Sequence, residues 1–211
     1  MAKRSAPEVN AGSMADIAFL LLIFFLVTTT IELDSGLNRK LPPIEETEPP
    51  IIKAKNIFQL QVNGNDQLFL IAGGDEKIIE LKDVRKAAID FLDNGGGTGP
   101  DACARCQGKK NPQSSDNFDK AIISLQSNRA TKYETYIAVS NEILAAYNVL
   151  RNREFKKEFP NSGMDFVEAE KKVADKRTPE REREKLKEKL EKIQELIPQK
   201  FSEAEPKSSS K

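Results

Sequence analysis

Residues 10–31 read NAGSMADIAFLLLIFFLVTTTI, and no other stretch of the 211-residue chain looks like it. After Asp16 no charge appears until Glu32. Residues 11–31, 21 in all, would make a helix about 31 Å long, roughly the hydrocarbon thickness of a bilayer. A helix buried in a soluble core is usually shorter and more amphipathic. The stretch is therefore read as a transmembrane helix. A cleaved signal peptide fits poorly: the apolar run would start with an aspartate, and TTTIELDSG offers no small-x-small cleavage site. Lys3 and Arg4 precede the span, whereas Glu32 and Asp34 follow it. That bias places residues 1–10 as a cytoplasmic tail and the rest of the chain outside, in the periplasm of a bacterium.

An ionised carboxylate inside a bilayer costs about 2.5–3.5 kcal/mol on insertion scales. Asp16 would sit about 7 Å from the midpoint of the span, too deep for a short side chain to snorkel. It must be protonated, pair with a polar group of another helix, or face a hydrated path. Low dielectric favours the neutral form of a carboxyl. An acid that takes a proton from one side and gives it to the other is a proton relay. Helical spacing puts Phe19, Leu20, Ile23, Val27 and Thr30 on the same stripe as Asp16. One helix cannot shield the acid alone, so the stripe predicts a membrane partner, either a second copy or another subunit. A packing-only role for Asp16 is the plain alternative.

Lys+Arg and Asp+Glu are equal at 33 each, and there is no histidine. The balance gives no reason to expect nucleic acid. The missing histidine excludes Ser-His-Asp chemistry and ordinary His-based metal sites. No Walker loop, G-x-S-x-G or G-x-G-x-x-G occurs. The chain is read as a non-enzyme without a resident cofactor or metal, protons being the coupling ion.

ELDSGLNRKLPPIEETEPP, within a linker at 32–55, reads as an extended, flexible tether. NIFQLQVNGNDQLFLIAG predicts a hairpin, with strands at 57–62 and 67–71 around Asn63-Gly64-Asn65. IIELKDVRKAAIDFLD predicts a helix with Leu81, Val84, Ala88, Phe91 and Leu92 on one face. A loop at 94–117 follows, then a strand at 121–126 and a helix over 133–155. That helix carries Tyr136, Val139, Ile143, Ala146, Tyr147 and Leu150 on its inner face. The order β-β-α-β-α over 56–154 is a small α+β domain with helices on one side of a sheet. Residues 155–211 read as a charged helical extension ending in a disordered KSSSK. Leu186, Leu190, Ile193 and Ile197 form one helical face there, to dock on the domain or on a second copy. PQKFSEAEP is a candidate edge strand. Cys103 and Cys106 form C-A-R-C within the loop. The pair is half a zinc site and lies in no strand-to-helix redox context, so a local structural disulfide is the plain reading.

EVNAGSMADIAFLLLIFFLVTTTIEL, NRKLPP after the span, and AIISLQSNRATKYETYIAVSNEILAAYNVLR together resemble the ExbD/TolR family of biopolymer-transport proteins. The resemblance maps the single functional aspartate of the family onto Asp16 and covers about residues 8–150. It implies an inner-membrane, single-pass subunit of a proton-driven motor. It implies an ExbB- or TolQ-like multi-helix pentamer enclosing two copies of the chain, and a TonB-like transducer that opens outer-membrane transporters. A TolR-like envelope-integrity role, a membrane-anchored scaffold and an anchored thiol oxidoreductase are the alternatives. The Cys-bearing loop and the charged extension depart from the family pattern.

Overall fold

The computed structural model describes residues 11–28, 52–72 and 75–207. The expected cytoplasmic tail, most of the linker, Thr30 and residues 208–211 lie outside the described residues. The chain divides into two compact units, residues 1–48 and 49–211.

The first unit holds helix α1, Ala11–Thr28. Its 18 residues give a length of about 27 Å. Asp16 is its only charged residue. Apolar side chains face outward on every side, from Met14 to Phe25. The helix ends three residues before the predicted span does, and no helix among the described residues is long and apolar enough to cross a membrane.

The second unit is a five-stranded sheet backed by helices. The strands are β1 (Ile57–Val62), β2 (Leu68–Ala72), β3 (Asp75–Ile79), β4 (Ile122–Asn128) and β5 (Phe201–Lys207), in the spatial order β3-β2-β1-β4-β5. β1 pairs antiparallel with β2 and parallel with β4, and β4 pairs parallel with β5. Alternation decides the faces. Phe58, Leu60 and Val62 point into the core, joined by Leu68, Leu70, Ile123 and Leu125. The hairpin turn is closed by Asn63, whose Oδ1 accepts from the backbone N–H groups of Asn65 and Gln67, both at 2.9 Å.

Helix α2 (Leu81–Leu92) buries Val84, Ala88, Phe91 and Leu92. Helix α3 (Tyr133–Glu158) buries Val139, Ile143, Ala146, Tyr147 and Leu150 against the same face. Arg85 of α2 grips Glu142 of α3 in a two-pronged ion pair at 2.8 and 3.0 Å. Helices α4 (Phe166–Ala174) and α5 (Glu180–Leu196) form a second apolar cluster with the end of α3: Phe155, Phe166, Ala169, Leu186, Leu190 and Ile193.

The mixed α+β class is as expected, but the predicted order β-β-α-β-α is too short. The observed order is β-β-β-α-β-α-α-α-β. Ile78 and Ile79, read as the start of a helix, belong to edge strand β3, and Leu81 is 39% exposed rather than on the buried face. β3 escaped notice because a strand with one neighbour and four exposed side chains shows no apolar alternation. The face Leu186–Ile197 docks on its own chain, and the candidate strand in PQKFSEAEP is β5.

Candidate functional site

Asp16 is exposed on α1, and Phe19, Leu20 and Ile23 are exposed one to two turns further on. Helical spacing puts these four on one face. Val27 lies on the same helix. A carboxylate amid exposed Phe, Leu and Ile side chains is stable in water only when that helix is covered by something else, because an all-round apolar helix buries its surface. The arrangement can therefore hold one proton in a site that a partner completes.

In the second unit, the inserted segment between α2 and β4 is a folded knob rather than an open loop. Asn94 closes its neck: Nδ2 donates to the carbonyls of Asn111 and Ser115 at 2.9 and 2.8 Å, and Oδ1 accepts from Asn111 N–H at 3.0 Å. The Ser115 hydroxyl donates to the Phe91 carbonyl. Gly96 N–H donates to Ser115, Gly97 N–H to Asp116, and Gly108 N–H to Asp93. The glycines are required by close approach: a Cβ on Gly96 would stand 2.1 Å from the Asn111 carbonyl oxygen, and one on Gly97 2.1 Å from that of Asp101. Cys103 and Cys106 are joined by a disulfide, their Cα atoms 5.4 Å apart. Cys106 is buried and packs in the main core.

Charged groups hold the knob to the domain. Asp116 is buried at the entry to β1, where Asn56 donates to it at 3.0 Å and Lys55 reaches it at 2.5 Å. Burial pushes the Asp116 carboxyl up, but Lys55 and Asn56 outweigh it and hold the group below its ordinary value. Arg153 forks onto Asp93 at 2.6 and 2.8 Å and also donates to Glu154 at 3.0 Å. Glu154 is fully buried. Its burial is likewise outweighed, by Lys157, Arg153 and Arg105, and its carboxyl is held down. Arg105, between the two cysteines, reaches Glu154 at 3.3 Å and Glu158 at 2.8 Å.

A groove of about 680 Å³ runs between β3, α2 and the knob, lined by Phe58, Leu70 and Phe91 and by Lys77, Lys86 and Lys109. Among the described residues, no group of three or more carboxylates or thiolates is placed to hold a metal. The sequence gave notice of the two cysteines but not of Asp93, Asp116, Arg153 or Glu154. The one available signal was an acid at the end of a predicted apolar helix face, Asp93, followed by a glycine-rich run.

An apolar helix with a single carboxylate, carried beside a separate sheet-and-helix domain, is the composition of a transport subunit that couples energy to work. The family model for biopolymer transport protein ExbD/TolR matches residues 2–150, and the chain belongs to the ExbD/TolR family. Members are energy-transduction subunits of biopolymer transport, not enzymes. They are typically anchored in the inner membrane and generally work with ExbB/TolQ and TonB/TolA partners. A search of curated proteins finds no match. The family match ends at Leu150, within α3, so α4, α5 and β5 lie beyond it.

Proposed function

We propose that the chain is the proton-carrying subunit of an inner-membrane motor that couples the proton gradient to TonB-dependent transport across the outer membrane. The observation that carries this reading is Asp16, the one charge on an otherwise apolar helix, with Phe19, Leu20 and Ile23 beside it awaiting a cover. Residues 11–31 are the span, with the N-terminus in the cytoplasm and the sheet domain in the periplasm. A multi-helix ExbB- or TolQ-like subunit supplies the cover, enclosing two copies of the chain. Asp16 takes a proton from the periplasmic side while facing one path and releases it to the cytoplasm when facing another. The change in its charge alters its affinity for hydrocarbon and for the partner's polar groups, and that difference moves the helix relative to the partner. The sheet domain passes the motion to a TonB-like protein.

Asp16→Asn in the native host tests this. Asn preserves size and polarity but carries no proton. Gradient-dependent uptake through outer-membrane transporters is measured alongside protein level and assembly with the partner. Lost uptake with intact assembly is the expected result. Normal uptake with intact assembly overturns the proton-carrier role and leaves a scaffold. Normal uptake with detergent-sensitive cells assigns the motor to a TolR-like envelope role.

A further inference from the structure

The inserted knob and the C-terminal extension, far apart in sequence, meet on the last turns of α3. Arg105, inside the disulfide ring, donates to Glu158 Oε1 at 2.8 Å, and Lys192 of α5 donates to Glu158 Oε2 at 2.9 Å. One carboxylate therefore receives a cation from each added element. Glu154, one turn earlier, accepts from Arg105, Arg153 and Lys157. Arg153 in turn holds Asp93, whose Oδ1 also accepts from Gln107 N–H at 3.1 Å, just past the ring. The ring itself leaves no slack. The Gly95 Cα faces Cys106 so closely that a Cβ there would stand 2.6 Å from the Cys106 Cβ. Cys103 Sγ accepts from the Cys106 N–H at 3.1 Å. The direction in which Arg105 points is thus fixed by the cross-link on either side of it.

We propose that the Cys103–Cys106 bond is a redox latch: oxidised, it aims Arg105 at Glu154 and Glu158 and so fastens both the knob and α5 to the end of α3; reduced, it releases them. The two sulfurs differ in access. Cys103 is partly exposed and Cys106 is 6% exposed. A thiolate of an external dithiol meets Cys103 Sγ, the S–S bond breaks, and Cys106 Sγ leaves as a thiolate and takes a proton. The second thiol of the reductant then attacks the mixed disulfide, Cys103 Sγ leaves and is protonated, and the reductant departs as its own disulfide. Two electrons and two protons pass to the chain. Without the cross-link the four residues from Cys103 to Cys106 regain backbone freedom. Arg105, 44% exposed at its side chain, then exchanges its two carboxylates for water. Glu158 keeps Lys192 alone, while Glu154 keeps Arg153 and Lys157.

The latch does not depend on Asp16 carrying protons, and its test reads the sheet domain directly. The full chain, purified in detergent, is compared oxidised and after reduction with excess dithiothreitol without denaturant. Trypsin cleavage after Arg105, Lys109 and Lys110 is followed by mass spectrometry, and amide exchange is followed over 186–196. Reduction is expected to speed cleavage in the knob by roughly tenfold or more, since proteolysis tracks the open population, and to raise exchange in α5. Arg105→Gln, which leaves the disulfide intact, is expected to raise exchange in α5 while the knob stays protected. A disulfide that resists dithiothreitol in the folded chain overturns the proposal. So does a reduced chain whose α5 exchanges as before, because the ring is then a static staple with no hold on the extension.

Discussion

The Arg151 guanidinium holds the backbone carbonyl of Ile197 with both Nε and Nη2, at 3.2 and 3.0 Å. Its Nη1 reaches Gln199 at 3.4 Å, and its plane lies over the rings of Tyr147 and Phe166 at 5.9 and 5.4 Å. Tyr147 adds a hydrogen bond from its hydroxyl to the Lys200 carbonyl at 3.3 Å. The connector from α5 into β5 is thereby fixed from α3, and Lys200 delivers its carbonyl to the Ile123 N–H at 2.9 Å, where β5 joins β4.

Arg151→Met should cost about 2–4 kcal/mol, because it orphans a buried carbonyl and removes a buried fork of donors. Arg151→Lys keeps the charge but not the fork and should cost about 1–2 kcal/mol. Urea unfolding gives the totals. Amide exchange gives the location: β5 should lose protection first, with β1 and β2 unaffected in the Lys variant.

Two glycines with positive φ should behave differently. Gly95 has φ +67° and no room for a Cβ, whereas Gly99 has φ +60° and nothing within 4 Å of where a Cβ would go. Gly99→Ala should cost only the backbone strain, about 1 kcal/mol. Gly95→Ala adds a steric clash with Cys106 and should cost about 2–4 kcal/mol in total. The difference in unfolding free energy between the two variants isolates the packing of the ring. Equal costs would mean the knob yields to a methyl group.

Phe166 is fully buried against Phe155, with ring centroids 6.3 Å apart. Phe166→Ala should cost about 3–5 kcal/mol and release α4 and α5 from α3. Proteolysis after Lys171 and Lys172 should rise more than proteolysis in the hairpin. An unchanged cleavage pattern would show that α4 contributes no stability to the extension.

Acid should loosen the knob before it unfolds the sheet. Asp116 and Glu154 have folded-state pKa values below their unfolded ones, so their contribution is present above the unfolded values, about 4, and is lost as pH falls through the folded ones. Glu170 runs the other way. Burial raises its carboxyl, against the pull of Arg151, so it favours the fold below the unfolded value, and that contribution is lost as pH rises through the raised one. Glu170→Gln should therefore be neutral or stabilising at pH 7. Amide exchange at pH 6 and pH 3 should show protection lost in residues 94–117, and the lower pH should spare α4.

Periodicity carried much of the fold. β1, β2, α2, β4 and α3 each bury one face, and their apolar residues recur at two or at three to four. The parts that escaped have a common physical cause: they are exposed on most sides or held by polar contacts. β3 is an edge with Asp75, Glu76 and Lys77 on it. α4 is short, and its mark in the sequence was the capping box Asp165–Glu168 rather than an apolar stripe. The knob is built from side chain to backbone hydrogen bonds of Asn94 and from glycines whose need arises only from what lies opposite them. Asp16 was legible at once because an acid in an apolar run is conspicuous, whereas Asp93 and Glu154 look like any other charge in a chain that is 31% charged. Their burial comes from residues 49 to 60 positions away.

The parallel pairing of β4 with β5 has a consequence for how the protein is made. Residues 129–200 separate the two strands, and a ribosome adding 5–20 residues per second needs about 4–14 s to cross them. Throughout that interval β4, with Ile122, Ile123 and Leu125, has an open edge. The sheet closes only when residue 201 has emerged, after all three later helices have been translated. A holding chaperone acting on the nascent or translocating chain would have its task in that window, and a stalled chain would expose IISLQSN to its neighbours.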